Sequence, residues 1–336
     1  MSKDDMKSSP VPGSLSKFHA REQPNGFTKM PKSIWSQLGE IVSLAYLITE
    51  SNIKAYVLPV MLFAMLSIAS SAGVTTNLNP NFKDLAVAFP RATLYIWLYV
   101  LHFDCSNQKD PSSIEEDRLN KPWRAIPSGK LSIEGAERWY KAAACLLLLA
   151  SGTFLGGFPE ALAFMLETYI YDYASGSSSW WGKNLINALF YMTGQLGTTR
   201  VAAESMESTS MARAGFEWCA LLGLEVFSTV QIQDLRDQKG DSIKGRRTMP
   251  LVLGDVPTRW ITAVFIIFWS VALPLYWSNG AFTLAYISPI LIGAFVSVRI
   301  LSRRSPKEDR MSSHYYTLLW LPALYAIPLL SQCKVR

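Results

Sequence analysis

The chain has 336 residues, of which 49% are hydrophobic and only 17% charged, with Lys+Arg exceeding Asp+Glu by 32 to 26. Soluble domains carry about a quarter charged residues, so the composition points to a membrane protein. Four scattered cysteines (Cys105, Cys145, Cys219, Cys333) and three isolated histidines (His19, His102, His314) argue against a disulfide framework and a zinc centre.

Residues 1–34 are polar, rich in Pro, Ser and Lys, and lack the apolar core of a cleavable signal. They read as a disordered cytosolic tail, with residues 35–336 forming one membrane-embedded helical domain. Residues 35–50 are amphipathic and suit the membrane interface. Crossing the hydrocarbon layer takes about 20 apolar residues as a helix. Candidate spans follow at 53–72, 84–105, 134–156, 157–174, 183–203, 213–233, 257–277, 281–302 and 314–332. The fourth is the weakest, because Glu160, Glu167 and Asp172 interrupt it.

Charge orients these spans. The connections after spans two, six and eight hold most of the basic residues: Lys109, Arg118, Lys121, Arg124 and Lys130; Arg236, Lys239, Lys244, Arg246 and Arg247; and Arg303, Arg304, Lys307 and Arg310. The connections on the alternate side are poor in base. The pattern fits an all-α bundle of nine spans with a cytosolic N-terminus. The absence of a signal peptide with an early span suits the endoplasmic reticulum.

Two long polar connections therefore face the cytosol, four spans apart, which hints at a parallel internal duplication. In QIQDLRDQKGDSIKGRRTMP (231–250), Asp234, Asp237 and Asp241 stand at i, i+3 and i+7 and share a helical face. Such like charge is unfavourable unless a cation holds it together. Mg²⁺ is usually held by a few carboxylates and phosphate oxygens; the alternative is a solvated helix end with ordinary ion pairs. Gly240 and Gly245 would let the chain turn close to a ligand.

The other connection is HFDCSNQKDPSSIEEDRLNKPWRAIPSGK (102–130), in which Asp104, Asn107 and Gln108 share a face before Pro111 stops the helix. Ser112 or Ser113 with Glu115 or Glu116 forms a capping-box pattern, so one of those glutamates has a purely structural alternative. Asp117 is spaced to pair with Lys121. Arg124 suits phosphate oxygens. Two acidic clusters with Lys121, Arg124, Arg236 and Lys244 among them suit a diphosphate whose tail hangs into the apolar bundle. An isoprenoid diphosphate fits better than a nucleotide, for there is no Walker-type loop. Inverted-repeat transporters bind near the midplane, whereas both clusters here emerge at one surface. Nothing calls for nucleic acid or an obligate protein partner.

The segments NQKDPSSIEEDRLNKPWRAIPSG and QIQDLRDQKGDSIKGRRTMPLVLG resemble the UbiA superfamily of intramembrane prenyltransferases over roughly residues 40–332. The resemblance implies a nine-helix bundle in which two Asp-rich motifs hold Mg²⁺ and an isoprenyl diphosphate. Asp234, Asp237 and Asp241 match the second motif, with the GRRT–P–G context following. Asn107 matches the leading Asn of the first, and Glu115 its third acidic position. Gln108 and Pro111 replace aspartates common there, so the first-motif ligands are Asn107 and Glu115, with Asp110, Glu116 or Asp117 as substitutes. Lys183 and Tyr171 or Tyr173 fall near the family's Lys and Tyr diphosphate contacts. The wording is similar to the fungal branch, which includes terpene cyclases.

These readings predict Mg²⁺-dependent ionisation of farnesyl or geranylgeranyl diphosphate, followed by cyclisation. The alternative is transfer to an aromatic acceptor. Aromatic candidates to stabilise the carbocation are Tyr95, Tyr99, Phe103, Phe190, Tyr191, Phe227, Trp269, Tyr316 and Trp320; each alone is better explained by packing or an interfacial belt.

Overall fold

The computed structural model describes residues 33–70, 73–278 and 284–332. All but the last two residues of the tail expected over 1–34 lie outside them. Two compact units are distinguished, residues 1–40 and 41–336. The described part of the first is the exposed start of one helix.

Helices α1 (Ile34–Asn52) and α2 (Leu58–Ala69) run into one another through a π turn at Ile53–Val57. The amphipathic segment and the first span are thus one continuous rod, not a separate interfacial helix followed by a span. Helix α3 (Phe82–Lys109) starts in a capping box made by Asn81 and Asp84, and α4 (Pro111–Asn120) follows at once. Helix α5 (Ile133–Ala150) is capped by Ser132; α6 (Phe158–Asp172) follows a second π turn. Then come α7 (Trp180–Ala203), α8 (Arg213–Thr229) and α9 (Asp234–Ile243). Short α10 (Met249–Leu253) leads to α11 (Asp255–Trp277), α12 (Ile287–Ser302) and α13 (Pro306–Tyr315). A third π turn at Tyr316–Trp320 precedes α14 (Leu321–Tyr325) and α15 (Ile327–Leu330). No strand occurs among the described residues; Thr75–Met211 and Ser179–Arg247 are isolated bridges.

Helices fall in all nine expected stretches, yet four among the described residues are long and apolar enough to cross a membrane: Ile34–Ala69, Phe82–Lys109, Asp255–Trp277 and Leu284–Ser302. Some of the others fall short by length, α6 with 15 residues and α8 with 17. Helix α6 also carries Glu160, Glu167 and Asp172, and α7 carries Lys183, Asn184, Gln195 and Arg200. Their inward faces hold polar groups, which lowers the apolarity that a composition window detects. On α11 and α12, by contrast, Val264, Phe268, Val271, Leu291 and Val298 remain exposed, an apolar surface of the kind lipid covers.

Helix α7 packs against α2, α3, α6 and α8. Its small residues permit this: a Cβ on Gly194 would collide with the Tyr56 hydroxyl, and one on Gly197 with that of Tyr95. Close approach through small residues is how helices associate where no hydrophobic drive separates lipid from protein.

Candidate active site

Each polar connection begins where a long helix hands over to a short one, α3 to α4 and α8 to α9. These two junctions meet. Gly240 on α9 lies so close to α4 that a Cβ would run into Asn120 and Glu116. It serves that close approach, not a turn as expected. Gly245 does turn the chain, at φ +71°, and the bridge between Ser179 and Arg247 then ties it to the start of α7. Arg246 Nη1 reaches Glu116 at 3.2 Å and Asp241 at 3.3 Å, joining the two acidic segments. Lys244 bonds the Ser113 hydroxyl and lies 3.8 Å from both Asp110 and Glu116.

The three aspartates of α9 share one face, as their spacing predicts, and all line a polar cavity with about 900 Å³ of empty space. Lys183 Nζ lies 2.6 Å from Asp234 Oδ1 and 3.5 Å from Asp241. Asp237 pairs with Arg236 at 3.1 Å. Asp234 Oδ2 is buried without a hydrogen-bond partner, and Asp241 Oδ2 meets the Lys183 ammonium at 3.5 Å without a hydrogen bond. Burial raises the Asp234 carboxyl above its ordinary range, and Asp241 adds to this against the pull of Lys183. Burial would also raise Asp237, but Arg236 and Lys121 outweigh it and hold that carboxyl low.

From the first connection, Asn107, Glu116, Asp117, Lys121 and Arg124 line the same cavity. Asn107 donates to Asp172 at 3.1 Å. Arg124 is held by Asp117 at 2.8 Å, so Asp117 pairs with Arg124 and not with Lys121 as its spacing suggested. Lys121 is left without an ion-pair partner among the described residues. Burial, reinforced by Arg124, brings its ammonium down to about 8, although Asp237 and Asp117 favour the charge. Tyr171 is buried in the wall, 5.8 Å from the Arg246 guanidinium.

Some expected residues are not brought in. Glu115 is exposed and pairs with Arg118 at 2.6 Å, away from the cavity. Helix α4 places it one residue off the inward face that Ser113, Glu116 and Asp117 share. Neither glutamate caps α4: Asp110 does, accepting from the Ser113 amide at 3.0 Å. Gln108 donates to the Ile48 carbonyl at 2.8 Å and is structural. Tyr173 is half-exposed.

An aromatic cavity with about 480 Å³ of empty space adjoins the polar one; both share Asn52, Ala55, Phe103, Asn187 and Gln233. Tyr56, Phe103, Phe164, Phe190 and Tyr191 supply its rings. Phe103, Phe190 and Tyr191 were expected. Tyr99 packs behind them, against Phe164 and Tyr56. Tyr95 donates to the Gly157 carbonyl at 2.9 Å. Tyr316, Trp269 and Trp320 bond to Glu225, Ser228 and Ser270. Tyr56 was not expected, and the π turn that carries it gives no signal in hydropathy. Phe164 was missed because it lies in the span that charge interrupts. A second polar chamber shares Lys121, Arg236 and Asp237 with the first and adds Lys54, Arg310 and His314.

The donor set suits a hard cation. No three His, Cys, Asp or Glu groups among the described residues form a ready metal cage. Asp234 Oδ2, which has no partner, and Asp241 Oδ2, held only by Lys183 at 3.5 Å, fit instead the usual Mg²⁺ arrangement, in which one or two carboxylates share the ion with phosphate oxygens.

The chain has relatives in both sequence and fold. Residues 57–321 match the UbiA prenyltransferase family. The diterpene cyclase eriG of Hericium erinaceus is 32% identical over 237 residues, 68% of this chain and 72% of its own. The polyprenyl transferase eriF of the same fungus is 28% identical over 292 residues, 85% of this chain and 94% of its own. In fold, a digeranylgeranylglyceryl phosphate synthase structure matches with a TM-score of 0.55 at 16% identity, covering 87% of this chain and 99% of its own. A UbiA homolog from Archaeoglobus fulgidus bound to GPP and Mg²⁺ gives 0.50 at 12% identity, over 87% and 99%.

Proposed function

The chain belongs to the UbiA prenyltransferase family, and on that premise we propose that it is a Mg²⁺-dependent terpene cyclase acting on farnesyl or geranylgeranyl diphosphate. One observation carries the reading: a polar cavity walled by carboxylates and cations adjoins an aromatic one and shares five lining residues with it, Asn52, Ala55, Phe103, Asn187 and Gln233. A diphosphate head and an isoprenyl tail have the same two-part character.

In this reading Asp234, Asp237 and Asp241 would hold magnesium, together with Asn107 and Glu116. Bound magnesium would supply Lewis-acid stabilisation of the departing diphosphate oxygen. Lys183, Arg246 and Lys121 grip the remaining phosphate oxygens, with Arg124, Arg236 and Lys244 completing the positive wall. Lys183 exchanges part of its hold on Asp234 and Asp241 for phosphate. Phe103, Phe164, Phe190, Tyr191 and Tyr56 enclose the tail and keep water from the allylic cation. Each ring face contributes about 0.5–2 kcal/mol to the cation. The tail's own double bonds then attack it. The expected setting is the endoplasmic reticulum, with the polar cavity facing the cytosol, by the basic connections around it.

A second reading is transfer of the isoprenyl group to an aromatic acceptor. It is favoured by the chamber beside the polar cavity and by the wider span of the polyprenyl transferase match. Incubating membranes with each diphosphate and Mg²⁺ alone separates the two. A hexane-extractable hydrocarbon without acceptor is the expected result; product only after adding a phenolic acceptor overturns it.

A further inference from the structure

Ionisation uses the polar cavity and leaves one carboxylate deeper in the bundle unexplained. On α6, Phe164 lines the aromatic cavity and Tyr171 the polar one. Glu167 stands between them, at i+3 from the first and i−4 from the second, and so on the same helical face. Only 8% of it is exposed. Thr193 on α7 donates to Oε1 at 2.6 Å, while Oε2 is buried with no hydrogen-bond partner. No Lys or Arg forms an ion pair with it among the described residues. One turn away on that face, Phe164 packs against Tyr99 and Phe190.

A carboxylate inside a membrane bundle is costly and normally finds a partner or a function. Two other buried glutamates provide the contrast. Glu160 pairs with Arg200 at 2.8 Å. Glu225 accepts from Thr229 at 2.8 Å and Tyr316 at 3.2 Å, and neither of those residues lines the aromatic cavity. All three keep a buried Oε2 without a hydrogen bond; Glu167 combines it with the absence of an ion pair among the described residues and a place on the α6 face between Phe164 and Tyr171.

We propose that Glu167 is the proton acceptor that ends the cation cascade, an assignment that rests on the cyclase reading above. A C–H bond beside the last cationic carbon breaks. Its electron pair becomes the new C=C bond, and the proton passes to Glu167 Oε2. The carboxylic acid returns that proton to the released diphosphate or to water before the next turnover, so no other reactant is consumed. Thr193 fixes the carboxylate through Oε1 and leaves Oε2 as the basic atom. Before that transfer, the negative charge on this face stabilises the cation.

The test measures hydrocarbon formed per diphosphate released by the full-length protein in membranes, supplied with farnesyl or geranylgeranyl diphosphate and Mg²⁺. For Glu167→Gln, the yield of the principal wild-type hydrocarbon per diphosphate is expected to fall about tenfold or more. Alkenes deprotonated elsewhere, or alcohols from water capture, take its place. Glu167→Asp falls between, and Glu225→Gln keeps the wild-type ratio. An unchanged ratio and product pattern in Glu167→Gln overturns the assignment, as does a change seen only in Glu225→Gln. Should Glu167→Gln fail to insert, Thr193→Val keeps the carboxylate but frees its orientation. A product shift in the same direction supports the assignment, and an unchanged pattern overturns it. If the wild type makes no hydrocarbon from either diphosphate without an acceptor, the cyclase reading fails and this role falls with it. A cyclising wild type with an unaltered Glu167→Gln removes Glu167 alone.

Discussion

Two buried groups of charge lie at the polar end of the bundle and differ in one respect. Around Arg259 on α11, Asp309 binds Nη1 at 2.7 Å and Nη2 at 2.8 Å, and Asp255 binds Nε at 2.7 Å. Gln238 and the Ile300 carbonyl take up further capacity at 3.0 and 2.9 Å. Both oxygens of both carboxylates are engaged. Around Lys183, one ammonium serves two carboxylates: Asp234 Oδ2 remains unpartnered beside a cavity, and Asp241 Oδ2 makes no hydrogen bond, only the ion pair with that ammonium at 3.5 Å. A buried polar network is stabilising when every member is satisfied and costly when it is not. The Arg259 group is therefore complete as it stands and ties α11 to α13, whereas the Lys183 group is completed only by a ligand. Proximity of opposite charges does not distinguish a site from a strut; spare hydrogen-bonding capacity beside an open volume does.

The sharpest way to break this comparison is to remove charge from each group. Asp241→Asn and Asp237→Ala are expected to reduce turnover about 10²–10³-fold or more, the scale of a lost transition-state contact, while thermal stability in detergent changes little. Near-normal rates in both variants would end the metal assignment. Arg259→Leu is expected to do the reverse. Leaving Asp309 buried without its partner costs about 3–5 kcal/mol, seen as a lower unfolding midpoint, with activity per folded molecule retained. A loss of kcat without a loss of stability would place Arg259 in the site instead.

Neighbouring glutamates sharpen it further. Glu116 meets Arg246 and Lys244 at the joint between α4 and α9, and Glu115 meets Arg118 in solvent. Glu116→Gln is expected to lower kcat/KM about 10–100-fold, as for groups that support a metal or its ligands. Glu115→Gln should leave it within about twofold, as expected for an exposed pair. Equal effects from the two would mean that α4 turns its other face to the substrate.

This pair also marks where the sequence ceased to be legible. The second motif could be read because one regular helix carries it, and a fixed period places Asp234, Asp237 and Asp241 on one face. Lys183 and Tyr171 were located only through resemblance, since their contacts cross from α6 and α7 to α9. The first motif straddles a helix end at Asp110, and a break in the period makes the inward face of α4 unpredictable by one residue. That single step exchanged Glu115 for Glu116. It also hid the partnership of Asp117 with Arg124, seven residues apart across a turn. Nine helical stretches were placed by hydropathy, but a composition window cannot recognise as membrane-spanning the helices whose polar faces build the site.

Lys121 gives the smallest and most discriminating effect. It is the cation of the polar cavity without a carboxylate partner among the described residues, and it faces both polar chambers. Burial, then Arg124, lowers its pKa to about 8. Below that pH the free enzyme carries the ammonium and attracts the diphosphate; above it the charge is lost and must be regained on binding. Since kcat/KM reports ionisations of the free enzyme and free substrate, the wild-type value should fall by about five- to tenfold as pH rises through 8, the scale of one partly screened ion pair. Lys121→Met should begin lower and lack this fall, while any titration of the substrate itself stays common to both proteins. The Arg259 group, whose guanidinium remains charged throughout, predicts no such step. A parallel pH dependence in wild type and Lys121→Met would show that Lys121 does not hold phosphate, and the spare capacity of the cavity would then rest on Lys183 and Arg246.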